Sequence, residues 1–156
     1  MQVRSAARRL ALDVLYEAEI RDCLPLEAFE LRRNYGWVVP TSADQEVETQ
    51  PPVVTEPPTG EAVVYARHLV SGVQEHHAQI DELIARYADR WTIERMPMID
   101  RNVVRIALFE LLAGGDVPVP VAINEAVELV KALSTDGSGR FVNGLLGRIA
   151  ETLATD

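Results

Sequence analysis

Apolar side chains recur at every third or fourth position through most of this chain, a spacing that fits one face of a helix and little else. In the longest run, Ala62, Ala66, Leu69, Val70, Val73, His77, Ile80, Ile84 and Tyr87 hold one side of a helix for about seven turns. Gly72 lies inside it, at a cost of about 1 kcal/mol relative to alanine, so a bend or a close helix crossing is expected there. Leu10, Ala11, Val14, Leu15 and Ala18 mark a helix from Ser5 to Glu19. On that helix Arg4 and Arg8 share a row at the edge of the apolar face, while Ser5, Arg9 and Tyr16 lie further round. Pro25 suits the first turn of a second helix, with Leu24, Ala28 and Leu31 as its inner side.

Downstream, Pro97 opens a helix carrying the stripe Ile99, Val103, Ile106, Ala107 and Leu111, which Gly114 and Gly115 stop. Pro118 and Pro120 stiffen a connection to the stripe Ile123, Ala126, Val127, Val130 and Leu133. The loop Ser134 to Gly139 precedes a last amphipathic helix bearing Phe141, Val142, Leu145, Leu146 and Ile149. No window alternates as a strand does, so the expected class is all-α, a compact bundle of about six or seven helices without internal repeats. Between Gly36 and Gly60 the pattern fails. Pro40, Pro51, Pro52, Pro57 and Pro58 stand among acidic and hydroxyl residues, which bury too little apolar area to offset ordering entropy, so residues 38–60 are expected to be a disordered acidic insertion in one domain spanning 1–156.

With 156 residues, 47% of them hydrophobic, the chain supports one core without disulfide or metal, and its single cysteine, Cys23, can form no internal bridge. No apolar block is long enough to span a membrane, and the expected compartment is the cytoplasm. The net charge of −9 argues against a broad nucleic-acid surface. Its distribution is uneven: Arg4, Arg8 and Arg9 stand near the start with no acidic residue among them, whereas Asp44, Glu46, Glu48 and Glu56 occupy the proline-rich stretch with no basic one.

Few residues offer catalytic chemistry. His77 and Asp81 have i, i+4 spacing, but no third ligand is suitably placed for a metal; the plainer expectation is a solvated His76 and a His77 packed at the core margin. The glycines of Thr135-Asp136-Gly137-Ser138-Gly139 lack the spacing and the lysine of a phosphate-binding loop and fit a connection between helices. Lys131 and Cys23 have no sequence neighbour that would activate them, and Asn124 and Glu125 fit the start of a helix better than a catalytic amide and acid. Trp91, Met96 and Met98 fit hinge and core packing. No cofactor, metal or enzymatic activity is expected. The first helix stands out, because its arginines could grip single-stranded RNA phosphates while Tyr16 stacks on a base. The competing interpretation is an ordinary solvated helix start.

Several segments, in order, carry a resemblance: Ala7-Arg8-Arg9 running into Leu15-Tyr16-Glu17, then Val103 to Leu112, Asp116-Val117-Pro118, Ala122 to Lys131 with its Asn-Glu-Ala core, and Phe141-Val142-Asn143-Gly144-Leu145-Leu146. Together they resemble the bacterial transcription antitermination factor NusB family, over the whole chain except about residues 34–60. The resemblance implies two packed helical subdomains and a non-enzymatic role. It implies pairing with NusE, a ribosomal small-subunit protein, and binding by the pair to boxA of nascent ribosomal RNA within the RNA polymerase antitermination complex; some members self-associate. By resemblance, RNA-facing positions fall on Arg4, Arg8, Arg9, Tyr16, Arg140 and Phe141, and an acidic partner-facing position falls on Asp100. Ser5 and Ala6 stand where members often carry basic or amide residues, and the acidic insertion departs from the common pattern. A protein-binding helical module without RNA contact is the alternative. A methyltransferase-associated helical domain ranks last, because the chain has neither a glycine-rich cofactor site nor a catalytic cysteine motif.

Overall fold

The computed structural model describes residues 2–35, 60–88 and 92–155, so Trp91 and all of the acidic segment 38–60 except Gly60 lie outside the described residues. Within them the chain forms α1 (Val3–Arg21), α2 (Pro25–Tyr35), α3 (Gly60–Glu75), α4 (His77–Tyr87), a 3-10 turn (Ile93–Arg95), α5 (Met98–Ala113), α6 (Val119–Leu133) and α7 (Ser138–Thr155). The all-α expectation is met, with seven α-helices and no strand among the described residues.

The helix ends follow local chemistry. Asp22 ends α1 in the left-handed region at φ 52°, with its N–H donating to the Glu19 carbonyl and the Cys23 N–H to the Ala18 carbonyl, the paired bonds that close a helix C-terminus. Aspartate is among the few side chains that tolerate this backbone. Pro25 begins α2 as expected, and the Leu26 N–H donates to Gln74 Oε1 at 2.9 Å. Gly114 ends α5 at φ 59°. Pro120 is not part of the connection but lies in the first turn of α6, where a proline leaves no helical hydrogen bond unmade.

Two helix faces differ from the sequence reading. On α2, Ala28, Phe29 and Arg32 turn inward, whereas Leu24 is 55% and Leu31 38% exposed. The larger apolar area of Phe29 and the bond from Arg32 Nε to Glu17 Oε2 at 2.8 Å set the rotation of the helix. The single long helix expected after residue 60 is two, broken at His76, with φ −101° and ψ 18°. This break lets α3, with Leu69, Val70 and Val73 buried, pack on α1, α2 and α5 while α4, with Ile80 and Ile84 buried, packs on α5 and α7. The histidines exchange their expected places: His77 is exposed and lies 3.3 Å from Asp81, whereas His76 is half-buried with its ring stacked on Phe109 at 5.9 Å between centroids.

Helices α1, α2 and α3 pack together, as do α5, α6 and α7, with α4 against α5 and α7; α1 and α3 then close onto α5. The core is continuous across the two groups. Helix α5 runs through the middle, and every residue from Asn102 to Glu110 is buried. The close crossing expected at Gly72 is present, since a Cβ there would stand 2.2 Å from the Phe109 ring. Gly72→Ala should therefore lower stability by about 1–3 kcal/mol, the usual range for overpacking. Measured by urea unfolding, much of that loss should be recovered in Gly72→Ala/Phe109→Leu; additive losses would place the strain elsewhere.

Candidate functional site

The arginine-bearing end of α1 faces in two directions. Arg8 stands in line with Ala11, Leu12 and Leu15 on the buried side and is only 3% exposed. Its Nε donates to Glu110 Oε1 at 2.7 Å and its Nη2 to Glu110 Oε2 at 2.9 Å, a two-pronged pair, with Glu125 3.8 Å from Nη1. Burial works against the Arg8 charge, but the hydrogen bonds and charge of Glu110 outweigh it, so its pKa is raised. Tyr65 donates its hydroxyl to Glu110 Oε2 at 2.7 Å, and burial, that bond and the Glu110 charge push its pKa up to about 12. Arg8, expected to hold phosphate, is thus an internal tie between α1 and α5.

Arg4, Arg9 and Tyr16 remain at the surface or partly so. Arg4 lies over the Tyr65 ring at 4.9 Å and donates to Asp116 Oδ2 at 2.8 Å, a bond that draws the Asp116 carboxyl below its ordinary range. Arg9 reaches Asp13 Oδ1 at 3.4 Å, one turn along α1, and Tyr16 is half-buried. Burial raises the Asp13 pKa against the opposing pull of Arg9 and Arg32. Ser5 donates its hydroxyl to Glu125 Oε1 at 2.8 Å. Glu125 is thereby a link from α6 to α1, not the helix-start residue expected from sequence.

Arg140 and Phe141 occupy the first turn of α7, Arg140 exposed and Phe141 half-buried against the core. Asp100 lies in the first turn of α5 and is 3% exposed. Its Oδ2 accepts from Ser138 Oγ at 2.7 Å. The expectation that Asp100 faces a partner is corrected accordingly: the α7 N-terminus covers it.

A second polar cluster went unread in the sequence. Glu19 accepts from Arg101, and from Arg105 Nη1 at 2.7 Å, while the Nε and Nη2 of Arg105 donate to Asp81 at 2.9 and 3.0 Å. Burial opposes the Glu19 charge, yet the two arginines overcome it and hold its carboxyl below the ordinary glutamate range. The signal was present: Arg105 and Glu110 are the charged residues inside the otherwise apolar run Val103–Leu112, and a lone charge in such a run must find an internal partner. Asp81, which shares i, i+4 spacing with His77, holds Arg105 through both its carboxylate oxygens.

The NusB family model matches residues 5–151. The chain belongs to the NusB family. Among its relatives, the transcription antitermination protein NusB of Salinispora arenicola is 46% identical over 151 residues, covering 97% of each chain. That of Saccharopolyspora erythraea is 48% identical over 153 residues, covering 96% of this chain and 88% of the relative. Among solved structures, T. maritima NusB superposes with a TM-score of 0.75 at 33% identity, covering 95% of this chain and 90% of that one. A crystal structure described as the antitermination factors NusB and NusE in complex with dsRNA matches with a TM-score of 0.72 at 26% identity, over 97% and 98% of the two chains. The family match includes Arg8 and Arg9 of α1 and the first turn of α7. Among the described residues, no helix is long and apolar enough to cross a membrane.

Arg8→Ala should cost about 3–5 kcal/mol in urea unfolding, because it leaves the Glu110 charge buried without its guanidinium, whereas Arg4→Ala at the surface should cost about 1 kcal/mol or less. Equal losses would show that the Arg8 pair is not internal in solution. The depressed carboxyl of Glu19 contributes stability above its unfolded pKa that is lost as pH falls through the lower folded value. Thermal melts between pH 7 and pH 3 should accordingly show a shallower acid limb for Glu19→Gln than for the wild type, with lower stability at neutral pH.

Proposed function

We propose that this chain is a non-enzymatic, RNA-binding antitermination factor that pairs with NusE and binds boxA of nascent ribosomal RNA, supporting processive transcription within the RNA polymerase antitermination complex. The observation that carries this reading is membership of the NusB family across residues 5–151, together with a solved relative described in complex with NusE and RNA. The basic and aromatic residues left at or near the surface suit it. Arg4, Arg9 and Arg140 would meet phosphates, and Tyr16 and Phe141 would offer faces for bases. Arg8 acts behind them, holding α1 in place through Glu110. The net charge of −9 favours electrostatic steering of a strongly basic ribosomal protein, leaving RNA to the few cationic positions. Partner and chain together then bind RNA more tightly than either alone, since each raises the effective concentration of the other's contacts. Self-association that covered α1 would compete with this use.

Three phosphate contacts on a single strand give a log–log salt slope of about −2 for the chain alone. In gel-shift titrations of boxA RNA, wild-type protein should bind weakly alone and more tightly with NusE. Arg9→Glu/Arg140→Glu should lose RNA while keeping NusE. A second reading, a protein-binding module without RNA contact, is favoured by one feature: Arg4, Arg8 and Arg9 each have a carboxylate partner. Retained NusE binding with no boxA shift by the wild type in either condition would establish that second reading and remove the first.

A further inference from the structure

Asp136-Gly137 and Asn143-Gly144 each place a side-chain carbonyl just before a glycine. Glycine has no Cβ to shield its backbone nitrogen or to narrow its dihedrals, so in either pair that nitrogen can approach the preceding Cγ and close a cyclic imide. By sequence the asparagine, with the better leaving group, is the more reactive of the two. The fold reverses the order. Asn143-Gly144 lies inside α7, where each N–H is committed to the carbonyl one turn back, and ring closure would swing the Asn143 ψ out of the helical well and break that ladder.

Asp136 and Gly137 are both exposed in the connection from α6 to α7. The Ser138 N–H donates to the Thr135 carbonyl at 3.0 Å and closes a turn around them. Among the described residues, the peptide unit between Asp136 and Gly137 neither gives nor receives a hydrogen bond, and the Asp136 carboxylate has no partner. The central unit of such a turn can flip between the two commonest turn forms, one of which calls for glycine at the third position, where Gly137 stands. It rotates without breaking a hydrogen bond. The other aspartates described outside helices are held: the Cys23 N–H that follows Asp22 donates to Ala18, and the Asp116 carboxylate is bonded to Arg4 and followed by the β-branched Val117.

We infer that Asp136-Gly137 is a self-modification site at which the main chain converts to isoaspartate, and that the lengthened connection disturbs the start of α7. The Gly137 nitrogen bonds to Asp136 Cγ, the C–OH bond of the carboxylic acid breaks, and that hydroxyl leaves as water with the proton of the nitrogen. Water then opens the imide at either carbonyl. Attack at Cγ restores aspartate; attack at the main-chain carbon leaves the backbone running through Cγ, with one extra carbon and a free α-carboxylate. No other reactant is required. The added carbon stands just before Ser138, whose hydroxyl donates to the buried Asp100 at 2.7 Å, so the seam between α5 and α7 takes up the change.

The folded full chain is incubated at neutral pH in heavy-oxygen water, then digested and read by mass spectrometry, since each opening of the imide leaves one heavy oxygen in the product. Label and isoaspartate should accumulate at Asp136 while Asn143 keeps its amide. Gly137→Ala, whose added Cβ meets no atom within 4 Å, should slow labelling at Asp136 about tenfold by restricting the backbone. Asp136→Asn gives the turn the same dipeptide as the helix, so only local structure then differs. In that variant the turn amide should be lost first while the chain is folded, and both amides at similar rates in urea. The purified isoaspartate form should melt at a lower temperature than the unmodified protein. Earlier loss of the Asn143 amide in folded Asp136→Asn overturns the site. So does an absence of heavy oxygen at Asp136 in the folded wild type over a period in which the urea-unfolded wild type takes it up. An unshifted melt of the isoaspartate form overturns the claimed disturbance of α7.

Discussion

Charges withdrawn from water need partners, and α1 sends its own to several different helices. Arg8 meets Glu110 on α5 and approaches Glu125 on α6, Glu17 meets Arg32 on α2, and Glu19 joins Arg101 and Arg105 on α5, which passes the connection to Asp81 on α4. Apolar burial along Ala7, Ala11, Val14, Leu15 and Ala18 supplies the general attraction, but it would tolerate a helix slid or turned by a residue. The charged pairs would not. A shift of one residue turns a helix by about 100° and would leave Glu110 inside without its guanidinium. The placement of every surface residue on α1, including Arg9 and Tyr16, therefore follows from contacts made on its opposite side.

That arrangement changes what an arginine-rich helix means. Of the three arginines at its start, the most buried serves the interior, and the others are each held near a carboxylate, Asp116 or Asp13. A nucleic-acid contact on this side must displace or share those carboxylates, which disfavours indiscriminate attraction to polyanions and rewards a ligand whose phosphates fall at the right separation. On the proposed reading, selectivity comes from this competition together with the bases, and the negatively charged body is left to a basic protein partner.

Much of the architecture was readable because helical periodicity reports burial directly. The stripes at Val142, Leu145, Leu146 and Ile149, and at Ala126 and Val130, lie in the core as their spacing required. The same logic failed where one-dimensional pattern and three-dimensional direction part company. Periodicity ran unbroken through His76, yet the backbone turned there, since the core wraps around α5 and a straight helix could not follow it. Leu24 and Leu31 lost the inner face of α2 to Phe29 and Arg32, a choice made by Glu17 on a different helix. The candidate site was legible in part. Arg4, Arg9, Tyr16, Arg140 and Phe141 are at least partly accessible, whereas the covered positions of Arg8 and Asp100 depended on Glu110 and Ser138, over a hundred and nearly forty positions away in the chain, respectively.

The meeting of Gly72 with the ring of Phe109 carries a lesson about inheritance. The ring also stands edge-on to His68 at 5.2 Å, so it is fixed by its neighbours and cannot simply swing aside. Descent with modification at either position is then constrained by the other: a larger residue at 72 becomes tolerable only in a lineage that has already shrunk the aromatic. In such a history the two sites behave as one locus spread over two helices, and drift in this part of the family is expected to move in ordered pairs of steps.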